Sequence, residues 1–352
     1  MQKFIDRYLI KGLSGMASGL FCTLIIGLII KQIGSFFPGT VVGQILLGIA
    51  NIATVLTGVG IAIGSAHQLG ASKLVLYASA INGFIGAYAT GLLNNTLIQE
   101  GNVILTGPGD SVGAFLAAVI GLEVGMLVAG KTKLDILVTP ATTILAGSAT
   151  ALILGPPISS FMMALGHIIG YATELQPFSM GIIISVLMGM FLTLPISSAA
   201  ISLMLGLSGL AGGAATAGCT AQMIGFAVIS YRENKVAGLF AQGLGTSMLQ
   251  VPNIVRNPLI WVPPTLASAI TGPIATVVFK MENIAAGAGM GTSGLVGPIF
   301  TWQTMPQTVS PLYTGFSIAL VHFILPAVLS LIFAEIMRKK GWIKPNDLKL
   351  EL

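Results

Sequence analysis

The sequence predicts an all-α membrane protein that crosses the bilayer about ten times and contains re-entrant hairpins. Hydrophobic residues make up 54% of its 352 residues and charged residues only 8%, and the mean hydropathy is +0.93. Soluble domains carry roughly 25% charged residues, so this chain lacks the polar groups needed to cover a water-exposed surface. Because one spanning helix needs about 20 apolar residues, the chain can hold roughly ten spans joined by short loops.

Apolar runs of suitable length follow one another along the whole chain. Before them, residues 1–12 place Phe4, Ile5, Tyr8 and Leu9 on one helical face, which is typical of an interfacial helix. Eight or eleven spans are also compatible with the pattern. The ten predicted spans are Leu13–Ile33, Val41–Ala66, Leu74–Leu93, Val112–Ala129, Leu134–Leu154, Ile158–Ala172, Phe178–Ile196, Thr216–Ser230, Leu259–Phe279 and Leu312–Met337.

The distribution of basic residues predicts the orientation of these spans. If the chain has ten spans, 13 of its 16 lysines and arginines fall on the side of the membrane that holds both termini. The exceptions are Lys31, Lys280 and Arg256. Cytoplasmic loops are enriched in lysine and arginine, so both termini are predicted to lie inside a bacterial cell membrane. The same residues form no basic face of the kind that binds DNA, so no nucleic acid is expected as a partner. The expected surroundings are a lipid bilayer.

Three apolar stretches are interrupted too often to be plain spans. Ser197–Ala215, Val236–Pro258 and Glu282–Phe300 contain repeated Gly, Pro, Asn, Ser or Thr residues. Backbone groups freed at such breaks need polar partners, which a solute or water can supply. All three lie late in the chain. We therefore predict a scaffold and dimerisation half at 13–176, a transport or ligand-binding half at 177–337, and a basic cytoplasmic tail at 338–352.

Three segments carry a resemblance to a known family. They are TSMLQVPNIVRNPLIWVPP from Thr246, GPGDSVGAFLAAVIGLEVG from Gly107 and GAGMGTSGLVGPI from Gly287. The chain resembles the membrane IIC subunits of the sugar phosphotransferase system, in a divergent branch of the perfringolysin O regulator type, whose members are described as membrane regulators of toxin genes. The resemblance implies a ten-span, glucose-superfamily-like fold, a dimerising half and hairpins that surround a carbohydrate. It also implies separate IIA and IIB phosphocarrier partners.

The sequence departs from that family at the positions that matter for phosphoryl transfer. Sugar-transporting relatives have a Glu-Pro element where this chain has Thr246 and Ser247, and a His on a preceding hairpin, whereas Ser197–Ala215 contains none. The family's catalytic residues are therefore not transferred to this chain. No catalytic triad, metal-ligand cluster or phosphate-binding glycine loop is recognisable, so we expect no catalytic residue, metal or cofactor.

Uncharged polar residues of the second half are the best candidates for binding a solute. Carbohydrate recognition needs amides and hydroxyls that both donate and accept hydrogen bonds. Gln242, Gln303 and Gln307 are further amides of this half. The predicted solute-binding residues are Gln222, Thr246, Ser247, Gln250, Asn253, Asn257, Glu282, Asn283, Thr292 and Ser293.

Several assignments stay open at this point. Glu282 could hold a solute or proton, or pair with Lys280 at the water boundary. Trp261 and Trp302 could form an aromatic platform for a sugar ring or belong to the interfacial belt. Charged residues inside spans are costly, which makes Glu123 a candidate for pairing with a histidine such as His167 or His322, or for the dimer contact.

Two functions fit these observations. The first is a homodimeric IIC-like permease that moves a small polar solute, most naturally a carbohydrate, by alternating access. The alternative is a membrane sensor or regulator that binds such a solute and signals through partners without transport. A flux measurement separates them, because a sensor binds the solute without moving it.

Overall fold

The computed structural model describes residues 2–99, 102–105, 107–305 and 309–350, and they form a helical protein with one very short hairpin. Seven of the described helices are long and apolar enough to cross a membrane, and a bent helix pair raises the number to eight. The prediction of an all-α polytopic membrane protein is thus confirmed. The chain divides into two compact units, residues 1–161 and 162–352. This division lies inside one helix, and the functional boundary at 176/177 stays a prediction.

The first unit contains five helices and the start of a sixth. Its two-residue strands β1 and β2 pair antiparallel, with Gln99 opposite Asn102. The bounds are α1 Ile5–Ser35, α2 Val41–Val55, α3 Thr57–Gln68, α4 Lys73–Leu93, β1 Ile98–Gln99, β2 Asn102–Val103, α5 Ser111–Val128 and α6 Asp135–Thr173.

The second unit is built around one almost completely buried helix. This helix, α9, packs against α7, α12 and α15. The bounds are α7 Pro177–Thr193, α8 Ser198–Met204, α9 Gly209–Ile229, α10 Tyr231–Phe240, α11 Val251–Arg256, α12 Pro258–Val278, α13 Ala285–Ala288, α14 Val296–Thr304 and α15 Pro311–Lys339.

Paired glycines allow the helices of the first unit to approach closely. Gly15 and Gly19 of α1 face Gly64 and Gly60 of α3, and a Cβ on any of the four would collide with the partner's carbonyl oxygen. Membrane helices use small residues in this way, because close backbone packing replaces the hydrophobic driving force that lipid cannot provide. The high glycine content therefore has a packing role here.

The predicted span Val41–Ala66 is broken in the middle. Helices α2 and α3 meet at Leu56 with a bend of 52°. The break frees carbonyl groups, and two side chains satisfy them: the Thr57 hydroxyl donates to the Thr54 oxygen at 2.6 Å, and the Tyr88 hydroxyl donates to the Val55 oxygen at 3.2 Å. A break inside a membrane is stable only when the freed groups find such partners.

The predicted spans Leu134–Leu154 and Ile158–Ala172 are one continuous helix, α6, of 39 residues. The expected turn at Pro156 and Pro157 does not form. A proline inside a helix removes its own N–H donor and crowds the carbonyl four residues earlier, but membrane helices tolerate it where the freed groups find other partners. This merger is one reason why the described part of the chain has fewer clear spans than the ten predicted. A second reason is that α7, with 17 residues, is shorter than a typical spanning helix.

The predicted interfacial helix at residues 1–12 is continuous with the first span. Helix begins at Gln2 and continues through π-helical turns at Ile5–Gly12 into Leu13–Leu20. Arg7 of this segment donates Nε and Nη2 to Glu123 of α5, at 3.0 and 2.7 Å. The predicted pairing of Glu123 with a histidine is therefore wrong, since its partner is Arg7 of the same unit.

Candidate functional site

The three broken stretches meet inside the second unit. The first and third contact each other through two serines of α8: Ser198 donates its hydroxyl to the Gly289 oxygen at 2.7 Å, and Ser202 donates to the Ala285 oxygen at 2.8 Å. The second and third are joined by Ser293, whose hydroxyl donates to the Gly245 oxygen at 2.9 Å. The interruptions that made these stretches poor spans therefore lie in one region.

The backbone of the third stretch needs glycine to make this approach. Gly291 and Gly294 both have φ near +53°, where a side chain strains the backbone. A Cβ on Gly291 would also lie within 3.0 Å of Cys219 on α9. The run GAGMGTSG is thus a tight turn packed against the central helix, which explains its composition.

Gln222, at the middle of α9, is the centre of a buried polar cluster. Its Nε2 donates to the Thr265 hydroxyl at 3.0 Å, and its Oε1 accepts from the Trp261 indole at 3.0 Å and the Thr193 hydroxyl at 3.3 Å. The Thr193 hydroxyl also lies 2.8 Å from that of Ser247. We call these five side chains the Gln222 centre. It contains two of the predicted solute-binding residues, Gln222 and Ser247, which are connected through Thr193.

The two tryptophans considered for a sugar platform have different surroundings. The Trp261 indole turns inward to the Gln222 centre, where its N–H has an amide partner. Trp302 has 51% of its surface exposed, as expected for a residue of an interfacial belt. Only Trp261 is therefore placed where it could contact a solute held at Gln222.

Asn283 forms a second buried centre in the third stretch. Its Nδ2 lies within hydrogen-bond distance of the Thr216 hydroxyl, the Gly297 oxygen and the Thr301 hydroxyl, at 2.7, 3.1 and 3.1 Å. Its Oδ1 accepts from the Ile284 N–H at 2.8 Å. This fully buried side chain ties α9 to both ends of the broken stretch, so in this structure it is fully occupied by the protein.

Glu282 lies beside Asn283 but faces a different environment. It is half-buried and lines a cavity of about 490 Å³, whose wall also contains Lys280, Phe279 and Tyr313. The Phe279 and Tyr313 ring centroids are 5.8 Å apart. The cavity thus combines a carboxylate, an ammonium group and two aromatic rings.

Two predicted hydroxyl residues lie outside both the Gln222 centre and the Asn283 centre. The Thr246 hydroxyl accepts from the Met248 N–H at 3.1 Å and caps the 3-10 helix Ser247–Gln250. The Thr292 hydroxyl lies 3.5 Å from the Met223 sulfur. Both side chains are buried, but neither is bonded to Gln222 or Asn283.

The predicted amides of the second stretch bind the end of the chain. Gln250 donates Nε2 to the Gln242 side chain at 2.8 Å and to the Leu348 carbonyl at 3.0 Å. Asn253 donates Nδ2 to the Gln250 side chain at 2.8 Å and to the Lys349 carbonyl at 2.9 Å. These two amides therefore form one network with residues 341–350, which we call the C-terminal segment.

Asn257 continues this network at the end of α11. Its Nδ2 donates to the Trp342 carbonyl at 2.9 Å and to Asp347 Oδ2 at 2.7 Å, while its Oδ1 accepts from the Leu259 N–H. Arg256 braces the same region, with Nη1 3.4 Å from Asn253 Oδ1. The structure brings these predicted amides together, and the partner that they bind here, the C-terminal segment, was not predicted from the sequence.

Sequence reasoning missed three polar residues of these networks. Thr193 and Thr265 complete the Gln222 centre, and Asn234 binds the C-terminal segment through the Leu348 carbonyl and the Leu350 N–H, both at 2.8 Å. A threonine inside a predicted span is too common to single out.

Two further amides named from the sequence do not join these networks in the described residues. Gln303 is exposed, and Gln307 lies outside the described residues.

Together these features define a class of protein: a polytopic helical membrane protein with interrupted segments gathered around buried uncharged polar groups. Comparison with protein families then identifies the chain more closely. It matches the family model described as phosphotransferase system, EIIC, over residues 10–350, and it belongs to that family. The resemblance predicted from the sequence is confirmed. No curated protein sequence matches the chain.

Proposed function

We propose that this chain is a permease that moves a small polar solute, a carbohydrate, across a bacterial cell membrane by alternating access. The observation that carries the proposal is the Gln222 centre. It is an uncharged set of one amide, one indole and three hydroxyls, in which Gln222, Thr193 and Ser247 are fully buried. Family membership supports a role in sugar transport, and the buried centre supplies groups that can recognise hydroxyls.

The chemistry of the Gln222 centre suits a neutral solute with several hydroxyl groups. Amide and hydroxyl groups can donate and accept, so they match sugar hydroxyls without a buried charge. In this structure the groups bond to one another. A sugar hydroxyl that replaces one of these bonds keeps the number of hydrogen bonds nearly constant, so entry of the solute need not leave buried polar groups unpaired.

Transport by this chain does not require a phosphoryl-transfer residue of its own. Thr246 and Ser247 occupy the position of the family's Glu-Pro element, and in this structure their hydroxyls cap a 3-10 helix and join the Gln222 centre. Neither group is a strong base. We propose that any phosphorylation depends on separate IIA and IIB proteins, that the permease works as a homodimer, and that both termini are cytoplasmic.

A ligand screen tests whether the Gln222 centre binds a solute. Purified protein in detergent is heated with sugars, polyols, sugar phosphates and small acids, and the melting temperature is compared with that of the free protein. A ligand specific for the folded state stabilises it by about 2.7 kcal/mol at a hundredfold excess over its dissociation constant. We expect a free sugar to raise the melting temperature.

Two variants locate the binding site within the protein. Gln222→Leu removes the central amide, whereas Gln303→Leu changes an exposed amide of the same unit. We expect the sugar-induced shift to disappear only in Gln222→Leu. A shift that survives in a folded Gln222→Leu protein contradicts the proposed site, and no shift with any sugar contradicts the proposed solute class.

A further inference from the structure

The C-terminal segment is recognised through its backbone. Four amide side chains, Asn234, Gln250, Asn253 and Asn257, donate to carbonyl oxygens of residues 342–349, and the Leu350 N–H donates back to Asn234. The segment turns at residues 345–348, and it is held through its peptide groups in the way that a sheet edge holds an added strand. Here side-chain amides take the place of the edge strand.

Apolar side chains of the same segment fill pockets beside these amides. Leu348 and Ile343 are 0% and 2% exposed and pack in a cluster with Phe226 and Ile254, and Leu350 is 8% exposed. The amides and the pockets together form a docking groove built from α9, α10, α11 and α15. Its occupant is therefore a defined part of this chain.

The attachment of the C-terminal segment includes a residue suited to a hinge. Gly341 directly follows the last residues of α15 and has φ +72°, and the space around it is open. Trp342, Lys344 and Pro345 are exposed. Rotation at Gly341 can therefore swing the following residues away from the groove, at the cost of the Trp342 N–H bond to the Met337 carbonyl that caps α15.

One short element connects the docking groove to the proposed solute site. The 3-10 helix Ser247–Gln250 has four residues. Gln250, at its end, donates to the Leu348 carbonyl, while Ser247, at its start, contacts Thr193 of the Gln222 centre. A four-residue helix transmits displacement from one end to the other, so holding Gln250 also restrains Ser247.

We propose that the C-terminal segment is a releasable latch on the segment 246–257. When docked, it holds Gln250 and keeps the Gln222 centre in the closed arrangement of this structure. When released, it frees the segment 246–257 to move and opens the polar groove. The effect on transport rests on the proposed function, whereas docking and release can be measured without any solute.

Cysteine labelling tests release directly. Ile254 is 7% exposed and packs in the cluster with Leu348 without donating to the segment, so Ile254→Cys reports opening when Cys22 and Cys219 are replaced by Ser and Ala. We expect slow labelling by a maleimide, and labelling at least tenfold faster when Leu348→Asp is added. Asn234→Ala is a second releasing variant, should Leu348→Asp fail to fold. Equal rates with and without release contradict docking, and no labelling of the parent protein over hours contradicts a releasable latch.

A disulfide lock then tests the consequence for transport. Asn257 and Asp347 touch through their side chains, so Asn257→Cys with Asp347→Cys can join the C-terminal segment to α11. We expect the oxidised protein to show at least a tenfold lower solute counterflow than the same sample after reduction. Equal counterflow in both states contradicts the latch. If neither state binds or moves a solute, the proposed function fails while the labelling result still decides docking and release.

Discussion

Ser247 and Gln250 begin and end one 3-10 helix, yet their side chains belong to different hydrogen-bond networks. Ser247 joins the Gln222 centre through Thr193, and Gln250 joins the docked C-terminal segment through Leu348. The sequence analysis grouped both residues into one solute-binding set. The structure separates that set into a buried inner centre and a groove occupied by the chain itself, which gives the two groups different expected phenotypes.

Replacement of Gln222 by leucine is expected to destabilise the second unit. The change leaves the Trp261 indole and the Thr193 hydroxyl with one partner fewer in a buried site. An unsatisfied buried polar group costs about 1–3 kcal/mol, so a loss of that order in the free energy of unfolding is expected. Thermal melting in detergent, with Gln303→Leu as the exposed control, measures it. Equal melting temperatures for the two variants contradict the assignment.

Replacement of Asn283 by leucine is expected to loosen the third broken stretch. The variant loses the donor to Thr216 and Thr301 and the acceptor for the Ile284 N–H. Since Asn283 is fully buried, we expect a loss of about 1–3 kcal/mol, from the groups left unpaired. Asn51→Leu, at an exposed position, is the matched control. Limited proteolysis shows where the loosening occurs, and cleavage confined to the first unit argues against this role.

Glu282→Gln separates the two interpretations of the half-buried carboxylate. If Glu282 holds a solute or a proton in the cavity with Lys280 and Tyr313, the variant weakens solute binding or removes its dependence on pH. Binding measured across a pH series with the sugar found in the ligand screen provides the comparison. Unchanged binding at every pH removes Glu282 from the solute path and leaves the interfacial interpretation.

The ion pair between Arg7 and Glu123 is expected to contribute modestly to stability. Its geometry is good, with Nη2 2.7 Å from Oε1, but the side chains are 42% and 35% exposed. Exposed pairs contribute about 0.2–1 kcal/mol, because solvent screens them. A double-mutant cycle of Arg7→Gln and Glu123→Gln is expected to give a coupling energy in that range. A coupling above about 2 kcal/mol would instead indicate a desolvated pair, as burial at a dimer contact would produce.

Hydropathy predicted the helices well where an apolar run has clear polar ends. The predicted spans Leu74–Leu93 and Leu259–Phe279 differ from helices α4 and α12 by about one residue at each end. The count failed at α6, because two adjacent prolines looked like a turn and the helix continues through them. Local sequence does not show whether the freed carbonyl groups near a proline find partners.

The candidate site was predictable only in part. Interrupted apolar stretches indicated which segments lie together, since breaks at membrane depth need polar neighbours. The docked C-terminal segment was not foreseen, because a tail with Lys344, Asp347 and Lys349 looks like solvated chain. Ile343 and the alternating leucines Leu348 and Leu350 were the signals of burial, and three residues are too few to define a pattern. Which amide binds which partner depends on long-range contacts that spacing cannot supply.

Solute counterflow in liposomes tests the central claim most directly. Purified protein is reconstituted, the vesicles are loaded with the unlabelled sugar identified by the ligand screen, and uptake of the labelled sugar is followed without phosphocarrier proteins. The proposed permease predicts transient accumulation that Gln222→Leu abolishes and Gln303→Leu retains. Binding of the sugar without any accumulation would contradict transport and would assign the chain to the sensor class.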